Sequence, residues 1–277
     1  MKTFSQPHTE DLSFSQQNIW NLEQALPHTP INHISTTLFI DEGFDAEALQ
    51  RTLNAVVQHD ETLRTRLTLI EGRPRQYFVP FVSQSFPVLD FSAVSEAEFA
   101  VWQKAMTQTP MPYLDQPLIH FYGFQIGETC GGVLILAHHL ISDGWAQVLL
   151  HNRIAALYCR ACRGESLKEA ELTPYREHLR QEQAYLRSPR YERDQQFWQR
   201  ETAAWEAPKP LRTAPVYPPS PISKRFSRPL SESLSRRLQA FCSERQISPF
   251  IMILLGLTVY LSRVHAQKAP VIGVPVI

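Results

Sequence analysis

One almost wholly apolar run, GGVLILA at residues 131–137, limits most strongly how this chain can fold. A run without polar alternation suits a central strand that is covered on both faces, which requires layers packed on each side of a sheet. The segment at residues 145–162, WAQVLLHNRIAALYCRAC, has apolar residues at helical spacing and precedes Gly164, a typical helix end. A buried strand that leads directly into a helix predicts an α/β fold.

Further segments of both kinds surround this pair. Strand-like composition is found at residues 35–40, 74–82 and 118–126. Asp45 is expected to cap a helix with apolar residues at helical spacing. A charged helical region at residues 175–201 is interrupted by Pro189. Strands and helices therefore alternate along the first 200 residues.

A proline-rich stretch then divides the chain. Residues 207–223 contain six prolines in seventeen positions, which excludes a helix and predicts an extended connector at residues 201–223. Beyond it, residues 229–246 predict an amphipathic helix, and Ser248 with Pro249 predicts the start of a second helix. The apolar segment at 250–261 is shorter than the roughly 20 residues of a membrane span, so a buried helix is expected. The last residues, APVIGVPVI, have strand-like composition.

Composition narrows the classes of partner and compartment. Lys and Arg together number 27, as do Asp and Glu, so no excess positive charge favours a nucleic-acid or membrane partner. The N-terminus has no apolar signal segment, and four cysteines do not form a disulfide framework, so a cytoplasmic location is expected. Cys159 and Cys162 form a C-x-x-C pair without a second pair or a nearby ligand histidine, which favours a structural role over redox or metal chemistry.

The candidate catalytic residues lie together where the apolar strand ends and the helix begins. They are His138, His139, Asp143 and Gly144. Side chains alternate along a strand, so only one imidazole can face a reaction space while the other supports it. The helix that begins near Gly144 directs free N–H groups to this place, where they can stabilise a developing negative oxygen. A metal site and an ordinary half-buried histidine are the alternatives, and the residues alone leave both open.

The motifs resemble those of one family. HHLISDG at residues 138–144 resembles the H-H-x-x-x-D-G signature of the condensation domains of nonribosomal peptide synthetases, in the chloramphenicol acetyltransferase-like superfamily. SFSQQNIW at 13–20 is similar to the family's first motif, S-x-A-Q-x-R-L-W, in Ser13, Gln16 and Trp20. HDETLRTRL at 59–67 is similar to the second motif, R-H-E-x-L-R-T-x-F, and places Arg64 at its arginine. The three motifs occur in the family's order.

The resemblance implies a fold of two related α/β lobes with the histidine motif between them. Residues 1–200 are then an N-terminal lobe of the chloramphenicol acetyltransferase type, with a mixed sheet and flanking helices. Residues 201–223 are a connector, and residues 224–277 begin a second lobe that is truncated.

The resemblance also implies an activity and its partners. An amino acid's amine, held on a carrier protein, attacks an upstream acyl or peptidyl thioester and forms an amide bond. His139 is the imidazole at the reacting amine, as a base or as a positioning group, and His138 supports it. Asp143 is expected to pair with Arg64, while Ser13, Gln16 and Trp20 support the site. No cofactor or metal is bound by the domain itself, because donor and acceptor peptidyl carrier proteins present the substrates on phosphopantetheine arms beside an adenylation domain.

Two other functions stay open at this point. An acyltransferase of the same superfamily that uses acyl-CoA shares the shorter H-x-x-x-D core, and a truncated chain can be inactive. Because Met1 lies twelve residues before Ser13, the domain is also expected to be a starter domain or to receive its donor from a separate subunit.

Overall fold

Strands and helices alternate through the residues that the computed structural model describes, which are 8–170, 172–203, 205, 226–264 and 270–274. The strands are β1 (Glu10–Asp11), β2 (His33–Ile40), β3 (Thr65–Ile70), β4 (Arg73–Phe78), β5 (Val88–Asp90), β6 (Ile119–Ile126) and β7 (Cys130–His138). The helices are α1 (Phe14–Ala25), α2 (Ala46–His59), α3 (Glu96–Gln108), α4 (Gly144–Cys162), α5 (Tyr175–Leu186), α6 (Pro189–Thr202), α7 (Glu232–Glu244) and α8 (Pro249–Val264). A 3-10 turn at Glu61–Arg64 joins α2 to β3.

The main sheet has four strands in the order β2-β7-β6-β5. β7 runs antiparallel to both β2 and β6, whereas β5 runs parallel to β6, so the sheet is mixed. β7 is the apolar run at residues 131–137, and its residues 131–138 are all buried. The expected central strand is therefore present, and it ends at His138.

Helices α2 and α4 pack on the main sheet and on each other. Leu53 and Val56 of α2 and Ile154 of α4 are fully buried in the core that also contains Ile135 of β7. Burying an aliphatic side chain of this size contributes about 1.5–3 kcal/mol. This packing fixes the direction in which α4 leaves the end of β7.

Close packing at the start of β7 requires a residue without a side chain. A Cβ atom at Gly132 would collide with the backbone carbonyl oxygen of Leu38 in β2 and with the ring of Phe124 in β6. Glycine lets the neighbouring groups approach, and the same strand pairing places His33 opposite His138 at the other end of β2 and β7.

The second sheet has three strands in the order β1-β4-β3, and α5 packs against β1. Gln76 of β4 is fully buried although it is polar. Its side-chain amide donates to the carbonyl oxygen of Asp11 at 2.9 Å and to Oε1 of Gln16 in α1 at 2.7 Å. The second sheet therefore anchors α1, which carries several residues of the site.

The chain divides into two units, Met1–Glu192 and Arg193–Ile277, with the division inside α6. The boundary at residue 200 stays a prediction. In the second unit, Ser248 caps α8 as expected, because its hydroxyl accepts from the N–H of Ile251 at 3.2 Å. The expectation that α8 is buried is wrong for the described residues, since Phe250, Ile253 and Tyr260 are all more than half exposed. Hydropathy indicated an apolar helix correctly, but α7 is its main neighbour in the described part of this unit and covers little of it.

Two further expectations concern the C-terminal part. Residues 270–274 are not in a strand. The proline-rich stretch at 207–223 lies outside the described residues. No single helix in the described ranges is long and apolar enough to span a membrane, although α7 and α8 together have that length and composition with a 104° bend between them.

Candidate active site

The two adjacent histidines lie on opposite sides of the backbone at the end of β7. His138 is 0% exposed, whereas His139 is exposed. This is the alternation expected of an extended segment. The backbone N–H of His138 donates to the carbonyl of Leu118 at 2.8 Å, and that of His139 donates to the carbonyl of Asn32 at 2.8 Å. One ring therefore packs in the core, and the other is open to solvent.

The buried ring of His138 has a defined tautomer. Its Nδ1 accepts from the N–H of Leu140 at 3.1 Å, so the ring proton is on Nε2. Nε2 lies 3.6 Å from Oε2 of Glu23, slightly beyond a normal hydrogen bond. Burial, together with the nearby rings of His33 and His139, lowers the pKa of His138 to about 3. His138 is therefore neutral at physiological pH.

Asp143 and Gly144 begin helix α4. Oδ1 of Asp143 accepts from the N–H of Ala146 at 2.7 Å, which makes Asp143 the N-cap. A Cβ atom at Gly144 would lie within 4 Å of no atom other than those of its two chain neighbours and the backbone of its own helix. The N–H groups of Gly144 and Trp145 have no acceptor among the described residues. The first turn of α4 thus keeps free donors next to the histidines.

Arg64 does not pair with Asp143. Its Nε donates to the carbonyl of Val57 at 3.1 Å, and its Nη1 donates to the carbonyl of Val79 at 2.9 Å. Neither Arg64 nor Asp143 forms an ion pair within the part of the chain that the structure describes. The expected pair is absent because helix capping uses the Asp143 carboxylate, while backbone carbonyls occupy the guanidinium. Arg64 joins the end of α2 to the segment after β4 and lines a separate depression of about 410 Å³.

Three residues of the first motif lie at the start of α1 or within it. Ser13 and Gln16 form a capping box at the start of the helix. Gln16 is buried, and its side-chain amide donates to the carbonyl of Leu140 at 2.9 Å. Trp20 contacts the ring of Tyr113 edge-on at 6.1 Å, and the Tyr113 ring lies 5.7 Å from the His138 ring. The motif therefore caps α1 and fixes the backbone beside His139.

His139 lines an open depression of about 310 Å³ within the first unit. Asp143 and Ala146 from the start of α4, Thr62 from the 3-10 turn and Tyr175 from α5 share its wall, and the complete lining is Ser13, Ser15, Gln16, Ile19, Thr62, His139, Leu140, Ile141, Ser142, Asp143, Ala146 and Tyr175. Burial raises the pKa of Tyr175, whose hydroxyl donates to Oγ of Ser13 at 3.5 Å. The depression offers an imidazole, hydroxyl groups and a helix start to a bound molecule.

The metal and redox alternatives gain no support from the geometry. No group of three His, Cys, Asp or Glu side chains within the described ranges could hold a metal ion. Cys159 and Cys162 are free, exposed thiols at the end of α4.

Comparison with known proteins identifies the family. The family model described as Condensation domain matches residues 6–277. The chain belongs to the condensation domain family. Surfactin synthase subunit 1 of Bacillus subtilis (strain 168) is 28% identical over 267 residues, which are 95% of this chain and 7% of that protein. Malpibaldin synthetase of Mortierella alpina is 26% identical over 276 residues, which are 96% of this chain and 5% of that protein.

Crystal structures of condensation domains have the same fold. The first condensation domain of the CDA synthetase superposes with a TM-score of 0.73 at 24% identity, covering 94% of this chain and 63% of that one. The starter condensation domain of rhizomide synthetase superposes with a TM-score of 0.67 at 25% identity, covering 73% of this chain and 49% of that one. The predicted α/β lobe with a mixed sheet and flanking helices is thus confirmed. The chain spans a small part of its curated relatives and 49% to 63% of these crystallised domains.

The condensation domain motifs do not include two buried polar residues of the site. Glu23 of α1 is 4% exposed and Asn32, just before β2, is 1% exposed. Oε2 of Glu23 accepts from the side-chain amide of Asn32 at 2.6 Å. Glu23 follows Gln16 and Trp20 at helical spacing, so all three lie on the buried face of α1. That spacing is the sequence signal that could have identified Glu23.

A third buried residue, Gln147, joins the site to the main sheet. Its side chain donates to Oγ of Ser142 at 2.8 Å and accepts from the hydroxyl of Thr36 in β2 at 2.8 Å. Gln147 thereby holds the loop between His139 and α4 against β2. Its position on the helix face that meets β2 could not be read from a single sequence.

Proposed function

We propose that this chain forms amide bonds as part of a nonribosomal peptide synthetase, with His139 at the reacting amine. The observation that carries the proposal is the exposed ring of His139 in a depression that also contains the start of α4. The neighbouring His138 is buried, so His139 is the imidazole of the pair that a substrate can reach. The family and the names of the relatives support the same reaction class.

The proposed reaction needs a neutral amine and a stabilised oxygen. The amine nitrogen attacks the carbonyl carbon of an acyl thioester, the carbon–nitrogen bond forms, and the carbon–sulfur bond breaks. His139 accepts a hydrogen bond from the amine, and as a base it takes the proton that the departing thiolate finally receives. The free N–H groups of Gly144 and Trp145, in the first turn of α4, are the proposed donors for the oxygen of the tetrahedral intermediate.

Carrier proteins are the proposed partners. Donor and acceptor peptidyl carrier proteins would present both substrates on phosphopantetheine arms, next to an adenylation domain in the same synthetase. The chain itself would then need no resident cofactor, and the reaction would take place in the cytoplasm. The relatives support this kind of assembly because this chain matches only 7% and 5% of two much larger synthetase proteins.

A donor carried by coenzyme A is a second candidate. One crystal structure shows a mutant starter condensation domain of rhizomide synthetase in complex with C8-CoA and Leu-SNAC. By analogy, this chain would transfer a fatty acyl group from a soluble thioester to the amine of an aminoacyl thioester. The amide product is the same, so only the donor distinguishes the two candidates.

The test uses the 277-residue chain with a panel of donors and acceptors. Acyl groups of increasing length are supplied on a carrier protein or on coenzyme A, with aminoacyl N-acetylcysteamine thioesters as acceptors. Mass spectrometry of the products should show an N-acyl amide that His139→Ala abolishes and His8→Ala, at an exposed histidine, preserves. Ester products, thioester hydrolysis alone or no amide from any pair would contradict the proposal.

A further inference from the structure

Glu23 is a buried carboxyl group without a cationic partner. It is 4% exposed, and no lysine or arginine within the described ranges forms an ion pair with it. Its neighbours are the amide of Asn32, at 2.6 Å, and Nε2 of His138, at 3.6 Å. Burying a carboxyl among so few donors disfavours folding, so its presence suggests another role.

Asn32 connects Glu23 to the backbone of the reacting residue. The side chain of Asn32 donates to Glu23, while its backbone carbonyl accepts the N–H of His139 at 2.8 Å. A change in the position of Glu23 would therefore be transmitted through one residue to the peptide that carries the His139 ring.

His138 forms the second connection. Its Nε2 is buried without a hydrogen-bond partner among the described residues and lies 3.6 Å from Oε2 of Glu23, and its Nδ1 accepts the N–H of Leu140 at 3.1 Å. A carboxyl group opposite one ring nitrogen is a common way to fix the orientation of an imidazole. The N–H groups on both His139 and Leu140 thus depend on partners that Glu23 contacts.

We propose that Glu23 is a positioning residue for the reaction at His139, acting through Asn32 and His138, a role that rests on the function proposed above. Glu23 does not touch the depression, so it contributes no contact to the substrate. It holds the backbone on both sides of the His139 ring at the depth and angle that the incoming amine requires.

The test replaces Glu23 with leucine, which has a similar size and no acceptor, and with glutamine, which keeps one acceptor oxygen. Hydrogen exchange of backbone amides is measured in the 277-residue chain. In Glu23→Leu, exchange at His139 and Leu140 should accelerate about tenfold or more, while residues 133–136 in the middle of β7 keep their rates. Glu23→Gln should restore most of the protection, and Glu42→Leu, at an exposed position, should match the wild type.

Activity gives the second measurement. The kcat for amide formation should fall about 10- to 100-fold in Glu23→Leu, with little change in KM and partial recovery in Glu23→Gln. A wild-type chain that forms no amide would refute the proposed function, whereas the exchange rates would still decide whether Glu23 positions the backbone.

Three results would overturn the role of Glu23. Unchanged exchange at His139 and Leu140 would show that the carboxyl does not hold them. Equal acceleration across residues 133–136 would show a purely structural contribution. A wild-type His138 that carries its proton on Nδ1, seen in a two-bond nitrogen–proton spectrum, would remove the connection even if Glu23→Leu fails to fold.

Discussion

The backbone N–H of His139 donates to the backbone carbonyl of Asn32 at 2.8 Å, which ties the exposed imidazole to the loop before β2. The next residue, Leu140, is held through its carbonyl by Gln16 and through its N–H by His138. The side chain of His139 has no hydrogen-bond partner among the described residues, whereas the backbone is fixed on both sides of it. Such an arrangement fixes the point from which the imidazole extends toward a substrate that arrives from solvent.

Arg64→Ala should destabilise the protein more than His139→Ala. Arg64 is half-buried and satisfies two backbone carbonyls, those of Val57 and Val79, and each carbonyl left unpaired costs about 1–3 kcal/mol. The exposed ring of His139 donates no such bond. Thermal unfolding of both variants checks this. Arg64→Lys is a third variant, which keeps the positive charge but cannot donate to both carbonyls as the guanidinium does. Equal Tm values for the two alanine variants would count against it.

Gln16 and Gln76 should be strongly coupled. Their side-chain amides bond to each other in both directions at 2.7 and 3.0 Å, and both residues are buried. Replacing either one with leucine removes part of the other's bonding, because Gln76 then keeps only the Asp11 carbonyl and Gln16 keeps only its bonds to the backbone of Ser13 and Leu140. We therefore expect each single variant to lose about 1–3 kcal/mol and the double variant to lose less than the sum. Urea unfolding of the four proteins measures the coupling. Additive losses would show that the two amides act independently.

The features of this site that could be predicted from the sequence are those that depend on local geometry. Alternation along a strand was enough to expect that His138 and His139 face opposite sides, and cap chemistry was enough for Asp45, which accepts from the N–H groups of Glu47 and Ala48. The central position of β7 followed from its apolar run. These features are set within a few residues of chain.

Features that depend on tertiary contacts were missed or mistaken. The Arg64–Asp143 pair was expected from the resemblance, but the Asp143 carboxylate accepts a hydrogen bond from the N–H of Ala146, three residues away, instead. The importance of Glu23 depends on Asn32, which reaches it only when the loop before β2 folds back on α1. The apolar character of α8 did not reveal what, if anything, covers it in the described part of the chain.

Acid should destabilise the protein partly through His138. Burial lowers its folded-state pKa to about 3, whereas an unfolded histidine titrates near about 6.5. The unfolded chain therefore takes up this proton first. The contribution is fully present above about pH 6.5 and is lost as the pH falls toward 3, by at most about 1.4 kcal/mol per pH unit.

The measurement compares the pH dependence of the unfolding free energy in the wild type and in His138→Asn, between pH 7 and pH 5. Burial also lowers the pKa values of His33, His120 and His151. Those residues remain in both proteins, so the difference in slope isolates His138. The wild type should have the steeper slope, and identical slopes would mean that His138 is not held neutral by the fold.

Two glycines should differ in their response to an added methyl group. Gly132→Ala places a Cβ against the carbonyl of Leu38 in the adjacent strand, and we expect a loss of about 1–3 kcal/mol. Gly144→Ala places its Cβ in open space at the first position of α4, where stability should change by less than about 0.5 kcal/mol. Denaturant unfolding tests the pair. A large loss at Gly144 would indicate a structural rather than a functional reason for glycine there.

The central claim is that the exposed imidazole of His139 acts on the attacking amine. Its most direct test is the single-turnover rate of amide formation from one acyl and one aminoacyl thioester, measured for the wild-type chain and His139→Ala. We expect the rate to fall by about 10²- to 10⁴-fold in the variant while its Tm stays near that of the wild type. A variant that forms the amide within about twofold of the wild-type rate, a difference of only about 0.4 kcal/mol in the barrier, would contradict the claim.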